Sequence, residues 1–234
     1  MDIKTITMLS IGTGAMLVLI AILMKCYKVV VWKSVPVSLL LTVAGTIGTY
    51  IWYFVETSYF SGRSYYGAVF LVPLMFVFVA KLMRIPYDDL MDFCAPAECI
   101  MLAIMKYQCL TEGCCAGKVL YILENGDPKI FPSQMVELIN AFSIMAVLML
   151  MCFSKKYRGK IYPWYMVIYG STRFVLNYFR ETEPLLIGLP AGNLWSLVAI
   201  VIGIMWIKDY QIKIIKKEKN ERLDSACEEN ESST

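Results

Sequence analysis

Two arginines stand in a stretch of the chain that is otherwise apolar enough to lie inside a bilayer. Residues 162–180 read YPWYMVIYGSTRFVLNYFR, with Arg173 in the middle and Arg180 at the end. At about 100° per residue, four polar side chains fall within one quadrant of a helix, those of Tyr169, Arg173, Asn177 and Arg180. An arginine in hydrocarbon costs on the order of 2.5–3.5 kcal/mol, so it normally faces a protein interior or a wet cavity. The stripe predicts either a cationic site or a structural ion pair with carboxylates of other helices.

Three cysteines lie close together in the chain, at Cys109, Cys114 and Cys115. A disulfide between Cys109 and either Cys114 or Cys115 could form if they lie on the extracytoplasmic side, where disulfides persist. Alternatively, Lys106 and Lys118 could lower the pKa of one thiol and make it acyl-accepting or redox-active. The chain has no histidine, which excludes His-based triads, His-ligated metal sites and haem. Because no fourth ligand at a suitable spacing is evident, we expect no metal and no cofactor.

The composition is that of a membrane protein. Of 234 residues, 58% are hydrophobic and only 18% are charged, and the mean hydropathy is +0.59. Soluble domains are about 45–50% apolar and about 25% charged. The chain is therefore expected to be an all-α polytopic membrane protein, without a nucleic-acid partner.

Seven stretches are long enough to cross a bilayer as helices. They are residues 6–24, 35–55, 65–83, 90–107, 132–153, 162–180 and 191–207. The stretch 90–107 is the least hydrophobic, and its Glu98 would be a charge at membrane depth, hence a functional or pairing residue. We assign residues 1–210 to a single transmembrane domain and residues 211–234 to a disordered, charged cytoplasmic tail.

A small external loop is predicted at about residues 106–130. Within it, Asn125-Gly126 lies between two strand-like runs, which is the strongest short-range signal for a β-hairpin. Lysine and arginine are concentrated in alternate loops and in the C-terminal tail, so the positive-inside rule places the N-terminus outside and the C-terminus inside. This orientation puts the hairpin and the three cysteines at the extracytoplasmic face.

Five segments in a fixed order resemble a known family. They are SYYG at 64–67, LMDFCAPA at 90–97, MKYQCLTEGCCAG at 105–117, FPSQMVE at 131–137 and YGSTRFVLNYFRE at 169–181. Together they resemble the prolipoprotein diacylglyceryl transferases of bacterial membranes. The resemblance implies transfer of a diacylglyceryl group from phosphatidylglycerol, or another anionic phospholipid, to the lipobox cysteine in the signal sequence of a lipoprotein precursor. It also implies a multi-pass protein of the bacterial plasma membrane.

The resemblance assigns roles to individual residues. It implies that Arg173, Tyr66 and Glu137 are catalytic, with Glu137 orienting the cations. The residues that it implies in substrate binding are Lys106, Arg180, Asn177, Tyr169, Gly113 and Gly117. Arginine suits a phosphate because its planar fork donates two hydrogen bonds at once.

Five polar positions depart from the family's pattern. Tyr66 stands where the family has a histidine, and a tyrosine with a pKa near 10 is a poor general base at neutral pH. Lys106 replaces an arginine and so keeps the charge without the fork. The other three departures are Cys109 for an asparagine, Cys114 for a glutamate and Asn177 for a glutamate. A catalytically diverged phospholipid- or partner-binding protein of the same fold is therefore the alternative.

Overall fold

In the part of the chain that the structure describes, the fold is a bundle of α-helices with two very small sheets. The computed structural model describes residues 3–59, 62–115, 117–122, 127–180, 184–186 and 189–231, without the side chains of 184–186, 189 and 212–231. The helices are α1 (Ile3–Cys26), α2 (Ser34–Thr57), α3 (Tyr66–Met83), α4 (Tyr87–Glu112), α5 (Ser133–Cys152), α6 (Ile161–Asn177) and α7 (Ala191–Glu231). The strands are β1 (Val119–Ile122), β2 (Pro128–Ile130), β3 (Pro184–Leu186) and β4 (Leu189–Pro190).

The all-α membrane fold expected from the sequence is confirmed. Every predicted span coincides with a helix, and six helices in the described ranges are long and apolar enough to cross a membrane. Helix α6 has only 17 residues. The chain is a multi-pass membrane protein, while seven crossings with the N-terminus outside stay a prediction.

The C-terminal segment differs from the expected disordered tail. Helix α7 continues through residue 210 to Glu231, over a sequence rich in lysine and glutamate. These residues are good helix formers, so the backbone extends the membrane helix without a break. The division of the chain at residue 210 stays a prediction.

Helix α4 is the centre of the bundle. It packs against α1, α3, α5 and α6. It is the least apolar of the six long helices, and it is also the most deeply buried. Its polar residues Asp92, Glu98 and Gln108 are all buried within the protein. Low hydropathy is tolerated in this span because its polar groups face other helices and not lipid.

Asp92 fixes the beginning of α6. Its carboxylate accepts hydrogen bonds from the backbone N–H of Gly159 (2.6 Å) and of Ile161 (3.0 Å) and from the hydroxyl of Tyr27 (3.1 Å). The first N–H groups of a helix have no partner within the helix, and a carboxylate there also favours the helix dipole. One end of α4 therefore sets where α6 starts.

The hairpin loop fixes the other end of α6. The predicted helix to residue 180 was three residues too long: α6 ends at Asn177, and Arg180 pairs with Gly117 in a β-bridge. The N–H of Lys118 donates to the carbonyl of Phe179 (2.9 Å), so these backbone groups bond to the loop and not along a helix. A Cβ on Gly117 would lie 2.5 Å from the carbonyl oxygen of Phe131, which makes glycine necessary at this close approach. The loop thereby holds Arg180 in place.

The predicted β-hairpin is present, since β1 and β2 pair antiparallel with Val119 opposite Ile130. The expected turn at Asn125-Gly126 lies outside the described residues. A second antiparallel pair, β3 with β4, precedes α7 and was not predicted. Its strands of three and two residues are too short to leave a recognisable alternation in the sequence.

Helices α2 and α3 touch at two glycines, next to Tyr66. A Cβ on Gly67 would lie 1.9 Å from the carbonyl oxygen of Gly48. We expect Gly67→Ala to force the helices apart and to destabilise the fold by about 1–3 kcal/mol or more, as overpacking does. A thermal-unfolding midpoint in detergent measures this effect. Gly14→Ala is the matched control, because a Cβ at Gly14 meets nothing within 4 Å. Equal unfolding midpoints for the two variants would contradict the close contact between Gly67 and Gly48.

Candidate active site

Three cations converge on one buried carboxylate. Glu137, in the second turn of α5, accepts from Arg173 Nη1 at 2.6 Å and from Arg180 Nη1 at 3.0 Å, both at Oε1. Its Oε2 pairs with the Nζ of Lys106 on α4. The carboxylate therefore links α4 and α5 to Arg173 in α6 and to Arg180, which lies three residues beyond the end of α6.

The cluster is buried and carries an excess of positive charge. The side chain of Glu137 is 6% exposed, and those of Lys106, Arg173 and Arg180 are 14–16% exposed. Three positive charges and one negative charge leave a net charge of about +2 in a medium that solvates ions poorly. The buried Nε of Arg180 has no hydrogen-bond partner among the described residues. The arrangement is therefore suited to receive an anion.

A cavity of about 770 Å³ lies against these cations. Lys106, Arg173 and Arg180 line it, whereas Glu137 contacts them from behind the wall. Apolar and aromatic residues of α1 to α4 make up much of the remaining wall, so the cavity combines a cationic end with apolar surface. Two glutamates on other parts of the wall accept hydrogen bonds from neutral side chains. Glu112 accepts one from Gln108 at 2.8 Å, and Glu56 accepts one from Ser64 at 2.9 Å.

Tyr66 lines the same cavity at the start of α3. Its hydroxyl is hydrogen-bonded to the Oγ of Ser196 on α7. Ser196 donates its own proton to the carbonyl of Gly192 at 2.7 Å, so Tyr66 is the donor in the bond between the two hydroxyls. The Tyr66 ring lies 5.8 Å from the ring of Tyr169. Tyr66 is thus a positioned hydroxyl whose proton is directed to Ser196.

The remaining predicted binding residues fall into two groups. Tyr169 and Asn177 line the cavity, and the buried Nδ2 of Asn177 has no partner in the part of the chain that the structure describes. Gly113 ends α4 with φ +68°, a left-handed conformation that favours glycine, and Gly117 packs against Phe131. Neither glycine is among the residues lining the cavity. Their observed contacts shape the loop that carries the cysteines and Arg180.

The three cysteines also border the cavity. Cys109, Cys114 and Cys115 are free thiols in this structure, and their sulfur atoms lie within 4.8 Å of one another. A hydrogen bond from Cys109, together with the positive charges of Lys106 and Arg180, lowers the pKa of the Cys115 thiol below its usual range. A disulfide among the three stays a prediction.

A family profile described as prolipoprotein diacylglyceryl transferase matches residues 6–208. The chain belongs to the prolipoprotein diacylglyceryl transferase family. Among its relatives is the phosphatidylglycerol–prolipoprotein diacylglyceryl transferase of Geobacter sulfurreducens, 30% identical over 140 residues, which cover 56% of this chain and 53% of that protein. Proteins of the same name match from Francisella tularensis (26% over 169 residues; 67% and 63%) and Campylobacter lari (30% over 91 residues; 37% and 33%). In each case the match covers less than two thirds of the relative's length.

Within this member of the transferase family, two structural residues were not singled out from the sequence. Ser196 bonds to Tyr66 across the α3–α7 contact, and Asp92 fixes the start of α6. Asp92 stands inside the quoted segment LMDFCAPA, where a carboxylate in an apolar run signals a buried partner. Glu98, which was singled out, accepts a hydrogen bond from Tyr162 at 3.0 Å and also lines the cavity.

Proposed function

We propose that this protein transfers a diacylglyceryl group from phosphatidylglycerol to the lipobox cysteine thiol of a prolipoprotein, at the outer face of the bacterial plasma membrane. The observation that carries this proposal is the excess positive charge of Lys106, Arg173 and Arg180 on one wall of a cavity within the helical bundle. The names of the relatives, all phosphatidylglycerol–prolipoprotein diacylglyceryl transferases, point to the same substrates.

The proposed reaction exchanges one bond for another. The acceptor sulfur forms a bond to the glyceryl carbon, and the bond from that carbon to the phosphate oxygen breaks. The thiol proton passes to water, and glycerol phosphate leaves with both electrons of the broken bond. The phosphate carries one negative charge in the lipid and gains a second as it leaves, so fixed cations stabilise the transition state more than the ground state.

Glu137 acts as a positioning residue in this scheme. It lies behind the three cations and contacts each of them, so it sets their direction without occupying the place of the phosphate. Its single negative charge reduces the mutual repulsion of the three cations but leaves an excess for the substrate. Pre-arranged charges of this kind need little reorganisation when the phosphate departs.

A non-catalytic lipid-binding role is the second candidate, and one observation favours it. The proton of the Tyr66 hydroxyl is directed to Ser196, so Tyr66 offers no ready base where the family pattern has a histidine. The cationic wall would still bind an anionic phospholipid headgroup in that case.

Reconstitution separates the two candidates. The purified protein is placed in vesicles of phosphatidylcholine with or without phosphatidylglycerol, and a synthetic signal peptide containing the lipobox cysteine is added. The proposal expects a peptide mass increase of one diacylglyceryl group only with phosphatidylglycerol, and none for a peptide with serine in place of the cysteine. Saturable phosphatidylglycerol binding without any peptide modification would favour the second candidate and overturn the first.

Lys106→Arg is expected to improve the use of the lipid. A guanidinium at this position would contact Glu137 and still present a second pair of N–H groups to the phosphate in a rigid planar fork, a geometry that an ammonium group lacks. In the vesicle assay the KM for phosphatidylglycerol should fall several-fold, whereas Lys106→Gln should raise it at least 10-fold. Equal KM values for the lysine, arginine and glutamine forms would show that this side chain does not hold the headgroup.

A further inference from the structure

The three cysteines are held together by two helices. Cys109 lies in the last turn of α4, and Cys114 and Cys115 follow directly after that helix. The N–H of Cys114 donates to the carbonyl of Cys109 at 3.2 Å, and the Oγ of Ser133 donates to the carbonyl of Cys115 at 2.7 Å. Gln134 Nε2 donates to the carbonyl of Cys114 at 2.6 Å. The loop that carries the two thiols is therefore tied to both α4 and α5.

The spacing of the sulfur atoms is suited to a thiophilic metal ion. All three lie within 4.8 Å of one another. Zinc binds thiolates at about 2.3 Å in a tetrahedral arrangement, which places two coordinating sulfur atoms about 3.8 Å apart. Thiolate ligands select zinc and other soft ions over magnesium or calcium. Three protein ligands with one open position are typical of catalytic zinc sites, so the absence of a fourth ligand in the sequence does not exclude a metal.

We infer that Cys109, Cys114 and Cys115 form a zinc site whose open fourth position faces the cavity and takes the acceptor thiol. The three thiols border the same cavity as the cations proposed to hold the phosphate. Three thiolates and one zinc ion sum to one negative charge, and the cations Lys106 and Arg180 line the same cavity as the cluster. The inference about the acceptor rests on the proposed function, whereas metal binding does not.

Such a site would remove the need for a general base, a role for which Tyr66 is poorly suited. A thiol bound to zinc is deprotonated, so the acceptor would lose its proton to water on binding and would stand ready as a thiolate. Its sulfur would then bond to the glyceryl carbon as the bond from that carbon to the phosphate oxygen breaks. The resulting thioether is uncharged and a weaker ligand than the thiolate, which favours release of the product.

Metal content tests the site without any need for turnover. The full-length protein, purified in detergent and equilibrated with zinc, should retain one zinc ion per chain by mass spectrometry of the metal. Cys115→Ser and Cys109→Ser should each lose at least 100-fold in zinc affinity. Cys26→Ser is the matched control, since Cys26 is exposed at the end of α1 and does not line the cavity; it should bind zinc as the native protein does. Equal zinc affinity in the native protein and in Cys115→Ser would overturn the site, as would recovery of a stable disulfide within the trio under the same conditions.

The open position is tested with cobalt in place of zinc. Adding the lipobox peptide should change the sulfur-to-cobalt absorption, and the peptide with serine in place of cysteine should not. An unchanged spectrum at saturating peptide would overturn the acceptor role. Full lipid transfer by the Cys109→Ser/Cys114→Ser/Cys115→Ser protein would overturn it too. Stoichiometric zinc and a peptide-dependent spectrum without transfer would instead refute the proposed transferase while leaving the metal site in place.

Discussion

Arg173→Gln should lower lipid transfer at least 100-fold while the protein remains inserted in the membrane. The guanidinium of Arg173 contacts Glu137 at 2.6 Å and lines the cavity where the phosphate is proposed to lie. Removing one positioned donor from a site where negative charge develops typically costs about 10²–10³ in rate. Glutamine keeps a polar side chain but loses the charge and the fork. The rate of diacylglyceryl addition to the lipobox peptide in vesicles measures the effect.

Arg84→Gln is the matched control for this loss. Arg84 is exposed, lies just after α3, and does not line the cavity. It has a positive φ of 50°, and glutamine is no more strained there than arginine. Transfer should stay within about twofold of the native rate, since surface charges away from a site contribute little. A loss of similar size in both variants would indicate general damage and not removal of a catalytic group.

Glu137→Gln should strongly destabilise the protein as well as inactivate it. The amide has nearly the same shape as the carboxylate, but three buried cations would lose their only counter-charge among the described residues. Removing one partner from a buried ion pair typically costs about 3–5 kcal/mol, because the remaining charge is left uncompensated. We expect a lower thermal-unfolding midpoint in neutral detergent and partial recovery on adding phosphatidylglycerol, whose phosphate would supply a negative charge.

Glu112→Gln provides the comparison for stability. Glu112 is an exposed glutamate at the end of α4, and its recorded partner is the neutral Gln108. Its replacement should move the unfolding midpoint very little. If phosphatidylglycerol stabilised native protein, Glu112→Gln and Glu137→Gln to the same extent, the interpretation of Glu137 as the counter-charge of a phosphate site would be wrong.

The helices were predictable because apolar runs of about 20 residues have few other stable structures in a bilayer. The residues at which the helices end were harder to predict. The stretch 162–180 has continuous helical character, yet α6 ends at Asn177 because Gly117 and Lys118 bond to the backbone of the last residues. These partners are about 60 residues away in sequence. No local pattern in residues 162–180 therefore shows that the last backbone groups bond to the loop and do not form one more helical turn.

The arginine stripe was also predictable, since charge in an apolar helix must face the protein interior. The pattern did not show that Lys106, Arg173 and Arg180 share one carboxylate, because that depends on how α4, α5 and α6 pack. The resemblance to the family suggested Glu137 as the orienting residue, which periodicity alone could not do. Ser196 was missed for a similar reason: a serine in an apolar helix is common, and only the α3–α7 contact reveals its bond to Tyr66.

The most direct test of the transferase proposal is complementation in a bacterium depleted of its own prolipoprotein diacylglyceryl transferase. Lipoprotein processing is followed by gel shift and by mass spectrometry of the modified cysteine. We predict that the native protein and Arg84→Gln restore mature, diacylglyceryl-modified lipoprotein and that Arg173→Gln does not. Absence of modification by a well-expressed, membrane-inserted native protein, or equal restoration by Arg173→Gln, would contradict the account.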